Sequence, residues 1–359
     1  LGLKFRKAIS LVILGGVLGG IYGFNLWMNR NLAPMPQTES EYFHLDHPEK
    51  IGQALGQLSN RQIVRNPNAL AIVAWFQRRP KMVRAGTYRV NGGMKYGELL
   101  DAIFSPIHMK FRFPETNWAR RSANLLQRAD ICSAKHYLAL VNDPQRFSRD
   151  VRGFNLPIHT LEGYLYPDTY DLPPLSGAYT VVERQLRAFQ NKVVKPLGPV
   201  AASEEVICKA SLVELETGTD DDRARIAGVI DNRLAKGIPL QIDAGIEYAL
   251  GKWRRLFFKD YKNVKSPYNL YLHKGLPPTP ICSPSFKSIY AVLHPLRHDY
   301  LYYVALPNGH SLFARTPAEH EHNIRLRKLA LQESKKKKQD LNKLFPAVPT
   351  PAEPGDHKK

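Results

Sequence analysis

Cysteine is scarce. Cys132, Cys208 and Cys282 are the only three, they lie far apart, and no CxxC pair occurs. An odd count excludes complete pairing within one chain, and the spacing argues against a zinc site. There is no Walker loop, no GxGxxG and no HExxH, so nothing points to phosphate-cradling, dinucleotide-binding or zinc-protease chemistry. Neither a metal nor a cofactor is expected. No repeat of useful period occurs either. Acidic residues are also short, at 32 against 51 Lys+Arg, for a formal net charge of +19. A chain this basic associates with a polyanion or an anionic surface. The plain alternative is solubility, since part of the charge lies in the C-terminal tail.

What is present suffices for two domains with appendages: 359 residues, 43% of them hydrophobic. Residues 8–29 carry no charge and are mostly apolar, with Leu11, Val12, Ile13, Leu14, Val17, Leu18, Ile21, Phe24 and Trp27. As a helix this run is about 33 Å long, enough for a bilayer core. Lys4, Arg6 and Lys7 precede it and Arg30 follows. The positive-inside rule then places the N-terminus in the cytoplasm and the rest outside. A cleavable signal peptide is the competing reading, but no small-x-small site follows.

Residues 1–30 therefore read as a cytoplasmic stub and anchor, and 31–44 as a linker. Residues 45–112 read as a small α+β module with helices near 52–58, 67–78 and 94–104 and a strand at 85–90. Residues 113–332 form a larger mixed α+β domain. Residues 333–359, with Lys335 to Lys338 and four prolines, hold too few apolar residues to fold and are expected to be disordered.

The larger domain is organised around Ser211-Leu212-Val213-Glu214-Leu215-Glu216-Thr217-Gly218. Ser203 is a natural N-cap, Glu204 and Glu205 suit a helix start, and Gly218 is placed as the left-handed residue past its end. Apolar residues surround this helix on nearly all sides, so it should be buried. Glu214 and Glu216, two positions apart, point in different directions. A carboxyl held among apolar groups has its pKa raised and can act as a general acid near neutral pH. Structural ion pairing or backbone capping stands equally for each.

Several stretches flank this helix: Ala85-Gly86-Thr87-Tyr88, Glu162-Gly163-Tyr164-Leu165-Tyr166-Pro167-Asp168-Thr169-Tyr170, Asn232-Arg233-Leu234, Leu240-Gln241-Ile242-Asp243, Pro267-Tyr268-Asn269, Gly275-Leu276-Pro277-Pro278 and His310-Ser311-Leu312-Phe313. Their order, with Val213 to Gly218, resembles the endolytic murein transglycosylases of the YceG-like family. The resemblance runs from the anchor to about residue 330. It implies a single-pass bacterial inner-membrane protein with a LysM-like module and a catalytic domain facing the periplasm. It also implies cleavage within nascent peptidoglycan strands close to peptidoglycan synthases, and no nucleic-acid partner. The family's catalytic glutamate falls on Glu216, with Glu214 in support. Ile242, Ala244, Leu270 and Thr279 depart from the family pattern and bear on the shape of the substrate loops.

On this reading Glu216 protonates the oxygen linking N-acetylmuramic acid to N-acetylglucosamine. It then removes the proton of the C6 hydroxyl, whose attack closes a 1,6-anhydro ring and limits strand length. Gln241, Asp243, Tyr268, Asn269, His310 and Glu162 are the candidate substrate contacts. Against them stand capping for Asp243, turn bonding for Asn269, hairpin packing for His310 and a solvated turn for Glu162. Two other classes remain open. One is a hydrolase in which Asp243 or Glu162 activates water, and the other a tethered glycan-binding scaffold without activity.

Overall fold

The structure is a computed structural model that describes residues 2–36 and 39–344, with side chains at residues 16–36, 39–337 and 339. In chain order the elements are α1 (Gly2–Leu32), β1 (Glu41–Leu45), β2 (Glu49–Lys50), α2 (Ile51–Asn60), α3 (Pro67–Phe76), β3 (Met82–Val83), β4 (Gly86–Val90), α4 (Tyr96–Phe104) and β5 (Lys110–Arg112). They continue with α5 (Ala119–Arg128), α6 (Ala134–Val141), β6 (Thr169–Asp171), α7 (Ala178–Phe189) and α8 (Lys195–Leu197). Last come α9 (Glu204–Glu216), α10 (Arg223–Ala235), α11 (Asp243–Leu250), α12 (Phe258–Asn263), α13 (Phe286–Leu293), β7 (Tyr302–Ala305), β8 (Ser311–Ala314) and α14 (Pro317–Leu344). The fold is mixed α+β, and among the described residues every sheet is a two-stranded antiparallel pair: β1 with β4, β2 with β3, β5 with β6, and β7 with β8.

Two compact units emerge. The first comprises Leu1–Arg112 with two later returns, Ala123–Tyr137 and Thr169–Val181. Its core gathers Phe43, Leu45, Leu55, Leu58, Tyr88, Val90, Leu100 and Ile103, all fully or nearly fully buried. Residues 41–44, expected in a linker, belong instead to β1. There Phe43 and Leu45 alternate inward while Tyr42 is exposed, the two-residue period of a strand with one buried face. The returns exist because β6 pairs with β5 and the Leu175 and Gly177 amides bond the Asp130 and Ile131 carbonyls.

Among the described residues no helix is long and apolar enough to cross a membrane. The span expected over residues 8–29 lies partly outside the described side chains. The part inside them, residues 16–29, is about 21 Å long as a helix, short of the roughly 30 Å hydrocarbon core. At the other end, α14 runs to Leu344, into the tail expected to be disordered from residue 333, and takes in the lysine run. Its residues are mostly strong helix formers with no proline between Pro317 and Pro346, which outweighs their low hydrophobicity. Residues 345–359 of the expected tail lie outside the described residues.

The second unit is built on α9, whose Ile207, Cys208, Ala210, Ser211, Leu212, Val213 and Glu214 are all buried. It packs against α10, α11 and α13. Ser203 caps it, accepting from the Val206 amide. The proline loop after Gly275 is sewn to its back. Ser211 Oγ accepts from the Ile281 amide, Cys208 Sγ donates to Pro277 O, and Cys282 Sγ donates to Ser211 O. Burial pushes the Cys208 thiol up to about 12 and Cys282 well above its usual range. These are inert packing thiols rather than nucleophiles.

Candidate active site

The two glutamates of α9 leave the helix in different directions, as their spacing demands, and meet opposite environments. Glu214, 5% exposed, accepts from the Ser285 amide and hydroxyl at 2.8 and 2.6 Å, and pairs with the Arg223 guanidinium at 3.2 Å. Ser285 is itself the N-cap of α13. Glu214 thereby fastens α9 to α13 and α10, with its charge compensated.

Glu216 has no such compensation. It is half-buried, and its hydrogen-bond donor is the Tyr303 hydroxyl on β7, at 3.0 Å from Oε2. Its charged neighbours, Asp243 and Glu247, are both acidic. Desolvation, then these like charges, push its carboxyl up to about 7, while the Tyr303 hydrogen bond pulls the other way. Near neutral pH such a group exists in both protonation states, as an acid that later serves as base must.

The helix end differs from expectation. Gly218 does not adopt a left-handed conformation; Thr217 caps α9 in extended geometry, its Oγ1 donating to Val213 O. Glycine is needed for space instead. A Cβ on Gly218 would stand 2.5 Å from Gly309 O, in the turn between β7 and β8. That close approach sets the hairpin, and so Tyr303, beside the end of α9. The Ser311 amide, donating to the buried Asp222, holds the other strand. We expect Gly218→Ala to cost about 2 kcal/mol, seen as a lower thermal midpoint, with activity lost through the displaced Tyr303.

Asp243, exposed at the start of α11, accepts from Tyr271 at 2.7 Å and Tyr261 at 3.2 Å, one hydroxyl on each oxygen. Gln241 is exposed with φ 55°, and its Oε1 accepts from Arg233 at 2.5 Å. Arg233 also donates to the Pro239 and Leu301 carbonyls and lies over the Tyr302 ring. The structure thus gathers Glu216, Asp243 and Gln241 with Arg233, Tyr271 and Tyr303 into one polar, tyrosine-rich patch.

The sequence pattern described as the YceG-like family matches residues 43–326. The chain belongs to that family. The endolytic murein transglycosylase of Bacillus subtilis (strain 168) is 30% identical over 334 residues, spanning 86% of this chain and 89% of the relative. That of Streptococcus pneumoniae serotype 2 (strain D39 / NCTC 7466) is 27% identical over 354 residues, 88% of this chain; the chain spans 64% of that relative's length. A crystal structure of a putative YceG-like protein from Listeria monocytogenes aligns with a TM-score of 0.51 at 25% identity, over 79% of this chain and 99% of that one.

The remaining candidates of this YceG-like chain are dispersed. Asn269 is fully buried and spends its side chain on its own loop, donating to the Tyr261 and Val264 carbonyls and accepting from the Tyr271 amide. It shapes the loop that presents Tyr271. Tyr268 packs against Tyr248 at 4.9 Å and bonds Thr279 at 2.8 Å. His310 is exposed at the hairpin tip. Glu162 is not in the Glu216 patch; it lies 4% exposed against the start of α5. In the aromatic stretch after it, Tyr164 is a core residue bonded to Ala202 O. Sequence reasoning missed Tyr303, Tyr271, Tyr261, Arg233 and Glu247 as members of this patch. Nothing local marks Tyr303, which reads as any strand tyrosine, whereas Glu247 at i+4 from Asp243 was open to discovery on the helical period.

Proposed function

We propose that this chain is an endolytic peptidoglycan lytic transglycosylase with Glu216 as its single acid–base group. The observation that carries the reading is the environment of that carboxyl: raised to about 7, donated to by Tyr303 and flanked by acids rather than by a cation. The names of the relatives supply the substrate, murein.

Protonated Glu216 donates to the bridging oxygen as the bond to the N-acetylmuramic acid anomeric carbon breaks. The oxocarbenium-like centre is taken by the C6 hydroxyl oxygen of the same sugar. Glu216, now a carboxylate, receives that hydroxyl's proton, and a 1,6-anhydro end leaves. Hydrolysis would need a second carboxylate, to activate water or attack the sugar. Asp243, one of the two acids that act on Glu216, already accepts a tyrosine hydroxyl on each oxygen, which favours the internal attack. Digestion of purified glycan strands followed by mass spectrometry tests this: anhydro ends support the lyase, and reducing ends support the hydrolase.

The pH profile offers a second check. Cleavage needs the protonated acid, so kcat/KM falls as pH rises through about 7. The Tyr303 hydroxyl stabilises the ionised form. Its removal in Tyr303→Phe therefore raises the Glu216 pKa, and we expect the alkaline limb to move to higher pH. A limb that stays put or moves down would remove Tyr303 from the account.

The wider setting belongs to the same proposal. Residues 8–29 anchor the chain in the inner membrane with the N-terminus inside. The first unit, in which α2 and α3 fall between β1 and β4 in sequence, is a LysM-like glycan-binding module. The enzyme trims strands beside peptidoglycan synthases and so limits their length. Support for this comes from the uncharged N-terminal run and the basic balance of the chain.

A further inference from the structure

Apart from the Glu216 patch, the second unit contains a cavity of about 190 Å³ lined by Trp118, Arg120, Asn142, Thr160, Glu162 and Tyr248 among others. Glu162 sits at its wall, both carboxyl oxygens within hydrogen-bond distance of the Ala119 amide at 3.1 and 2.9 Å. Desolvation pushes this carboxyl up to about 7, against the pull of the Ala119 amide, the Tyr248 hydroxyl and the Arg120 charge. Near neutral pH it can both accept and donate. Capping α5 accounts for the amide contact. It does not account for a polar void walled by aromatic rings in front of the acid.

The walls are fixed. The Trp118 ring meets Tyr248 edge-on, at 5.6 Å and 79°, and stacks on Trp253 at 5.2 Å and 23°. Arg120 reaches in beside Gly251, the left-handed residue that ends α11, where a Cβ would lie 2.3 Å from its Nη1. The cavity therefore offers an ionisable acid, a guanidinium, an amide and a hydroxyl beside aromatic faces. The Arg120 charge disfavours a cation, and Glu162 with the ring faces disfavours an anion. The volume, below the several hundred cubic ångströms of an ordinary ligand pocket, suits one ring rather than a strand.

We propose that this cavity is a second saccharide site, which takes one neutral pyranose ring with its apolar face on the Trp118–Tyr248 wall and its hydroxyl groups on Glu162, Arg120 and Asn142. The inference rests on the reading of the chain as a glycan-cleaving enzyme and deepens it. Helix α11 borders both sites, since Asp243 and Glu247 act on Glu216 while Tyr248 acts on Glu162. A strand with one sugar parked here is thus held at a distance from the bond being cut, which favours cleavage inside a strand over cleavage at its end.

The test uses the full chain carrying Glu216→Gln, labelled with 5-fluorotryptophan and titrated with N-acetylglucosamine. The Trp118 and Trp253 fluorine signals should move and that of Trp75 should not. Arg120→Ala and Asn142→Ala, both at exposed positions, should each weaken binding about fivefold or more, as loss of a hydrogen bond to the sugar predicts. An unmoved Trp118 signal, unchanged affinity in both variants, or tighter binding of free lysine than of the sugar would overturn the site. Its failure is separable from that of the cleavage reading. A chain that binds sugar here but releases no anhydro ends from peptidoglycan overturns only the latter. Anhydro ends released by a chain whose Trp118 ignores sugar overturn only the former.

Discussion

Glu216→Gln should leave a folded protein that releases anhydro-ended glycan about a thousandfold more slowly, the scale of a lost general acid. The replacement is close to a control in shape. Glutamine has nearly the volume of the protonated acid, carries no charge, and offers Tyr303 the same carbonyl acceptor. What disappears is the transferable proton and the carboxylate that would take one back. Both halves of the reaction depend on that group, so kcat falls while binding of a glycan strand persists. The measurement is release of anhydro muropeptides under saturating substrate, beside a thermal melt showing that the midpoint has not dropped. Unchanged release from Glu216→Gln would end the single-carboxyl account and reopen the scaffold and hydrolase readings.

Two residues earlier, the same residue type should behave in the opposite way. Glu214→Ala removes the partner of the Ser285 amide, the Ser285 hydroxyl and Arg223, of which Arg223 is only 14% exposed. Arg223 keeps its Asp220 pair and its Ser288 contact, so the loss is that of charge-assisted hydrogen bonds on a buried carboxylate, about 2–3 kcal/mol. For a unit of this size that lowers Tm by about 5–10 °C. The cost is shared between the Arg223 pair and the Ser285 amide and hydroxyl. Arg223→Met and Glu214→Ala together should cost less than the sum of the two alone, a coupling that a thermodynamic cycle reads directly. If the single variant melted like the parent, Glu214 would not be the clasp between α9, α10 and α13.

The helix holding both residues was legible before any coordinates. Ser203, the two acids after it and the all-round apolar pattern predicted a buried helix, and α9 runs from Glu204 to Glu216 as that pattern requires. The order of motifs along the chain likewise pointed to the YceG-like family. The errors arose where a local signal was weak or ambiguous. Glycine after a helix usually marks a left-handed cap, yet Gly218 is small because Gly309 presses on it. A polar, proline-bearing stretch resembled a linker, yet its end pairs with β4. A lysine-rich segment resembled disorder, yet helix propensity carries α14 through it.

The sequence by itself determined helix α9, its burial and the divergence of Glu214 from Glu216, because those follow from short-range periodicity and capping. Only the tertiary structure decided which glutamate is neutralised and which is left bare. Arg223 and Ser285 reach the first, and Tyr303, 87 residues downstream, reaches the second. A carboxyl's pKa is set by whatever charge and solvent lie within a few ångströms of it. No spacing rule along one chain reports that until folding brings distant segments together.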